Sequence, residues 1–263
     1  MSSNFSDFKK RFALEMNKDI AETVVELPSG LGKASIISMK VKDQKDFLKA
    51  LEKQDEYLIN GAFDKILERC VISINDSPIN VETLCIQDRN FLLIMIRKLI
   101  NPKAKISHIC PVSEKVYNNI EIDLDTNLEV KKFQGEILEK TFEIAEGIKL
   151  SVGPVTRKND KDVEMWIKKS KDKSSVIDRR YCGYAALIKN IVVKNDKGEY
   201  VNESLTFDNK VEFITEMCTP KILEQLDEYY KMLDFGVKIK FHFKSDEYEN
   251  EFEEAMLLSF FIM

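Results

Sequence analysis

Histidine, tryptophan and cysteine are all scarce in this chain: among 263 residues there are two, one and five of them, respectively. The cysteines (Cys70, Cys85, Cys110, Cys182 and Cys218) are odd in number, scattered, and never spaced as a CxxC pair. That pattern argues against a disulfide framework and fits a reducing compartment. Long apolar runs are missing too. The most apolar stretch, Phe91 to Ile96, stops at Arg97 and Lys98, far short of the ~18 residues of a membrane span. The opening segment has no uninterrupted apolar core and carries Asp7, Glu15 and Asp19, so neither a signal nor a transit peptide is expected. An excess of positive charge is also absent: 40 basic and 45 acidic residues leave a net −5. A concentrated phosphate-binding face, and with it a nucleic-acid partner, is therefore not expected. Low-complexity sequence is absent.

What the chain does have is 44% hydrophobic and 10% aromatic residues, enough for one large domain or two modest ones. Residues 3–18 carry Phe5, Phe8 and Phe12 at roughly helical spacing and read as a short amphipathic helix. From Glu22 to Val41, two β-branched runs separated by Pro28-Ser29-Gly30 and Gly32 predict a hairpin. Asp43 is expected to cap a helix through Phe47 and Leu51, followed by a second helix running from Leu58 to Val71. After a turn at Asn75-Asp76-Ser77-Pro78, Val81 to Ile100 predicts a third helical segment. Between Phe91 and Ile100 only Arg97 and Lys98 interrupt apolar sequence, so this helix should be covered on most sides. Residues 105–124 predict a second hairpin with Val112-Ser113-Glu114 near its tip.

The order then repeats. Residues 141–156 read as paired strands with Gly147 in the turn, and helices follow around Val163 to Ile167 and Val176 to Ile191. Asn195-Asp196 matches the Asn75-Asp76 turn, and Asp208 begins a helical region as Asp88 does, at the same offset. A helix after Pro220 carries the apolar stripe Ile222, Leu223, Leu226, Tyr230 and Leu233, with Gly236 as its stop signal. Alternation in the last hairpin puts Val237, Ile239, Phe241 and Phe243 on one face and Lys238, Lys240 and His242 on the other. The expected fold is α+β: an N-terminal helix over 1–20 and two similar units over 21–133 and 134–263, each with β-hairpins flanking a helical middle. Duplication and coincidence both account for such a layout.

Catalytic constellations are thin. His108 lies two residues from Cys110, which allows a Cys/His nucleophilic pair or half a metal site; the plainer reading is a strand histidine beside a small apolar cysteine. The segment Leu27 to Lys33 has glycines before a lysine but neither the spacing nor the following hydroxyl of a phosphate loop. Asp88-Arg89 and Asp178-Arg179-Arg180 read as helix caps and surface pairs, and Lys168 to Lys173 as a solvated loop. The apolar run Leu257 to Met263 reads either as a packed strand or as a contact segment.

Taken in order, several short motifs resemble the baseplate hub-assembly family of T-even-type contractile-tailed bacteriophages. They are the Leu27-Pro28-Ser29-Gly30 loop, Asp88 with the run Leu92 to Leu99, Cys110-Pro111 opening a hairpin that ends in Ile122-Asp123-Leu124, and Phe235-Gly236-Val237 before a final strand pair. The resemblance implies a non-enzymatic role in assembling the central hub of a baseplate, either as a transient factor or as a permanent part. It implies other hub and tail proteins as partners, and a place in the host cytoplasm during infection or in the virion baseplate. Many relatives carry a CPxCG-like zinc knuckle at a hairpin tip; here Ser113 stands where the second cysteine would be, and Lys244 to Glu247 contains none, so no zinc or other cofactor is expected. Partner contact is expected at the N-terminal helix (Phe5, Phe8, Phe12) and at the two hairpin tips (Val112, Ser113, Lys244, Tyr248).

Overall fold

A computed structural model describes residues 22–135, 138–169, 176–203, 205–245 and 248–254. The expected N-terminal helix with Phe5, Phe8 and Phe12, and the apolar run Leu257 to Met263, lie outside the described residues.

Strands β1 (Thr23–Glu26) and β2 (Lys33–Ile36) form the first hairpin, with β3 (Val71–Ile74) paired antiparallel to β2. The β1–β2 turn closes through the Leu27 amide on the Gly32 carbonyl at 2.9 Å. Gly32 has φ +144°, and a Cβ there would collide with the side chain of Asn75, which accepts from the Lys33 amide and donates to the Leu31 carbonyl. Between β2 and β3 run α1 (Val41–Glu52) and α2 (Glu56–Cys70). Asp43 is not the cap of α1: the helix starts two residues earlier, and the Asp43 carboxylate accepts from the Lys40 amide one turn back, at 2.9 Å. Asp55 caps α2, accepting from the amides of Tyr57 and Leu58. Val71, expected in the helix, already belongs to β3; its β-branched side chain joins the sheet with no intervening loop.

Helix α3 (Ile86–Lys98) has Phe91, Leu92, Leu93, Ile94 and Ile96 all buried, and so is enclosed on nearly every side, as its sequence predicts. Each such side chain contributes about 1.5–3 kcal/mol by leaving water. Strands β4 (Lys103–Ile109) and β5 (Val116–Asp123) form the second hairpin, and β6 (Leu128–Lys131) follows.

The layout then recurs. Strands β7 (Lys140–Ala145) and β8 (Ile148–Val152) form a hairpin, followed by α4 (Arg157–Lys169) and α5 (Val176–Leu187). Strand β9 (Ile188–Lys194) leaves α5 without a loop and pairs with β8, as β3 leaves α2 and pairs with β2. Ile188 to Ile191 is therefore strand, where the sequence predicted helix. β10 (Tyr200–Glu203) extends this sheet to the order β10-β9-β8-β7. Helix α6 (Phe207–Glu212), a π-helical turn (Phe213–Met217) and α7 (Pro220–Met232) lead to the closing hairpin, β11 (Gly236–Lys244) and β12 (Glu249–Glu254). On α7 the buried aromatic is Tyr229, not Tyr230, which is 62% exposed. Alternation along β11 is as predicted: Val237, Ile239, Phe241 and Phe243 are buried, while Lys240 and His242 are exposed.

Two apolar cores result. The first gathers residues from β1 to Leu124, and the second gathers residues from Leu138 to Phe235 together with Cys85 from the start of α3. The position 133/134 falls between β6 and β7. The closing hairpin crosses back over it: β11 pairs with β6, and Val237, Ile239, Phe241 and Phe243 complete the first core.

Candidate interaction site

The return of the closing hairpin brings two distant tips together. At the β4–β5 tip the Cys110 amide donates to the Lys115 carbonyl at 3.0 Å and the Glu114 amide to the Cys110 carbonyl at 2.9 Å. At the β11–β12 tip the Ser245 amide donates to the Tyr248 carbonyl at 2.7 Å, and the Tyr248 amide to the Ser245 hydroxyl at 3.1 Å. Cys110 Sγ lies 3.8 Å from Ser245 Oγ, joining the tips across 135 residues of sequence.

Beneath the tips is an aromatic bed. The His108 ring lies 4.3 Å from that of Phe252 and 4.6 Å from that of Phe243, and Tyr117 meets Phe243 edge-on at 5.0 Å. Phe241 stacks on Phe252 at 5.4 Å. Such pairs add about 0.5–1.5 kcal/mol each beyond area burial, and so brace the two hairpins against each other. A register shift between Ile106 and His108, with the Ser107 hydroxyl bonded to Asn118 at 2.7 Å, turns the end of the ribbon. Beyond it Ile109 pairs with Val116. Ile109, Val112 and Val116 are 61%, 58% and 58% exposed, an apolar end on a ribbon whose root carries the paired charges Lys105 and Glu121.

Four of the expected contact residues thus meet in one place, with different roles. Val112 is exposed at the tip. Lys244 is exposed and paired with Glu249 at 2.9 Å. Ser113 turns toward Cys110, and Tyr248 is half-buried against Phe243 and Phe252. Ile109 and Val116, exposed beside these four, were not singled out from the sequence; the signal available was a β-branched pair flanking the tip on the outward alternation.

The chemistry of this site is limited. The nearby Ser113 hydroxyl, which makes no hydrogen bond of normal geometry among the described residues, and the backbone amides of Ser113 and Val112 draw the Cys110 thiol down to about 7. His108 Nε2 is buried among rings with no hydrogen-bond partner, and no bond joins His108 to Cys110 among the described residues. Nor does any group of three His, Cys, Asp or Glu side chains among the described residues suit a metal ion. The geometry of the described residues is that of the plainer reading, a strand histidine near a cysteine with no bond between them.

The remaining family-like motifs also converge. Asp88 and Arg89 are not surface charges; they are 2% and 3% exposed. Ser29, from the Leu27-Pro28-Ser29-Gly30 loop, donates its amide and hydroxyl to Asp88. Burial pushes the Asp88 carboxyl up, and the Ser29 bonds oppose that shift. The Pro28 carbonyl accepts from the Phe133 amide at 2.9 Å, and the Phe133 ring packs edge-on against Phe235. Gln87 donates to the Leu233 carbonyl, and Gly236, at φ +119°, lies against the Gln87 side chain. Arg180, by contrast, does sit on the surface, paired with Asp227 beside Tyr184.

This is an α+β scaffold with two cores and two hairpin tips that meet, and among its described residues no helix is long and apolar enough to cross a membrane. A family model described as T4 bacteriophage base plate protein matches residues 20–262. The chain belongs to that family and is a phage baseplate protein. No curated protein and no solved structure matches it.

Proposed function

We propose that this baseplate protein promotes assembly of the central hub by binding hub components through its paired hairpin tips, without catalysing a reaction. The observation that carries this reading is the exposed set Ile109, Val112 and Val116 on an aromatic-braced ribbon. More than half of each side chain is left open by the described residues, and a braced hairpin pair loses little entropy when a partner covers it. In this reading the protein meets its partners in the host cytoplasm during infection. The family description as a base plate protein favours a second reading, a permanent part of the finished particle.

Quantitative mass spectrometry of purified particles beside infected-cell lysate separates the two. Retention at the copy number of other baseplate proteins makes the chain a permanent part. Abundance in lysate with absence from particles makes it a factor that leaves, and absence from both under infection overturns the proposal.

A further inference from the structure

We propose that a buried ionic cluster is the key that fixes how the two cores sit against each other. At its centre is Asp64 on α2. Its carboxylate accepts from Arg89 on α3, through Nε at 3.1 Å and Nη2 at 2.9 Å, and from Nε of Arg157 on α4 at 3.0 Å. Arg157 also donates to Asp160 at 2.7 Å and to Glu164 at 3.0 Å. Asn60 ties the two sides again, its side-chain amide donating to Glu164 at 2.7 Å while its backbone carbonyl accepts from Arg89 at 3.1 Å. Lys161 closes the rim, 3.7 Å from Asp64 and 3.1 Å from Glu82.

The cluster straddles the boundary between the cores. Helices α2 and α3 build the first core, whereas α4 rests Val163 and Trp166 on the second. Arg157, Arg89 and Asp64 are 1%, 3% and 6% exposed, and Arg157 is among the largest fully buried side chains of the described residues. Backbone bonds set the entry to α4: the Ile86 amide on the Val155 carbonyl at 3.0 Å, and the Arg157 amide on the Leu84 carbonyl at 2.9 Å.

Net stability does not account for such a cluster, because desolvating the charges offsets most of the attraction between them. Geometry does. Apolar surfaces tolerate sliding, but a guanidinium fork matches carboxylates in few orientations. A docking displaced by one helical turn would leave Arg89 with Asp64 and Arg157 with Asp160 and Glu164. It would break the bonds that cross between the cores, Arg157 to Asp64 and Asn60 to Glu164, in a dry site where water replaces them poorly. One arrangement is thereby selected, and it sets the direction in which the double tip, on the first core, points relative to the surface of the second.

The test uses the full chain with Asp64→Asn, which preserves volume and removes the central charge. Calorimetry is expected to show one unfolding transition for the unaltered chain and two for Asp64→Asn. Amide exchange is expected to accelerate at least tenfold in α4, with Leu92 to Ile94 in α3 unchanged. Glu164→Gln, a milder change, should move both readouts the same way by less, and it carries the test if Asp64→Asn does not fold. Coincident transitions with exchange accelerated equally in both cores would reduce the cluster to a contributor to stability and overturn the proposal. Unchanged behaviour, or two transitions in the unaltered chain, would overturn it as well.

Discussion

The Asp88 carboxylate at the start of α3 accepts both the amide and the hydroxyl of Ser29, at 3.0 and 2.5 Å, from a loop 59 residues earlier. Both residues are buried, so each bond replaces one that water would otherwise make. Asp88→Ala leaves two buried donors unpaired and is expected to cost about 3 kcal/mol in urea unfolding. Asp88→Asn keeps an acceptor and removes a charge that burial disfavours, so its cost should stay within about 1 kcal/mol. Equal losses in the two variants would show that the charge, and not the bonding, holds the loop.

Adjacent tyrosines on α7 should behave in opposite ways. Tyr229 is 1% exposed and donates its hydroxyl to the Leu138 carbonyl, whereas Tyr230 is 62% exposed. Tyr229→Ala is expected to cost about 3–5 kcal/mol, as other large-to-small core changes do, and Tyr229→Phe about 1 kcal/mol for the lost bond. Tyr230→Ala should stay within about 0.5 kcal/mol. Thermal unfolding of the three variants decides the matter, and a Tyr230→Ala loss as large as that of Tyr229→Ala would contradict the packing.

The Cys110 thiol, drawn from 9.0 to about 7 by the Ser113 hydroxyl and neighbouring amides, makes tip stability depend on pH. A depressed folded-state value means that folding favours the thiolate. Its contribution is complete above the unfolded value near 9 and is lost as pH falls through about 7. The stability difference between the native chain and Cys110→Ser should therefore grow from pH 7 to pH 9. A difference that stays constant across that window would show that the thiol does not titrate there.

Most of the elements were legible because their signals are local. The Pro28-Ser29-Gly30 turn, the apolar α3 and the alternation along β11 need only neighbouring residues to be read. Where the reading went astray, the deciding partner was distant or the pattern ambiguous. Val71 and Ile188 follow Cys70 and Leu187 with no breaker, and an apolar β-branched run continues a helix pattern as readily as it begins a strand. Tyr229 and Tyr230 look alike in any apolar count, and only the direction of the helix face separates them. Asp88 and Arg89 looked like surface charges because Ser29 and Asp64 lie 59 and 25 residues away. The meeting of the two tips spans 135 residues and depends on β11 crossing back to β6, which no local pattern encodes.

The tip itself offers the sharpest separation of folding from function. Ile109, Val112 and Val116 are more than half exposed, whereas the rings of Phe243 and Phe252 beneath them hold His108 and Tyr248 in place. Replacing all three exposed residues with serine removes apolar surface that the described residues leave open, so thermal stability should hardly move. If this surface is the contact, affinity for hub components in a pull-down or calorimetric titration should fall about tenfold or more. Phe243→Ala acts from below: it should lower stability by about 3–5 kcal/mol and weaken binding only as the hairpins loosen. Serine variants that bind hub components as the native chain does would remove the tip from the interface, because an apolar contact cannot survive the loss of all its apolar groups.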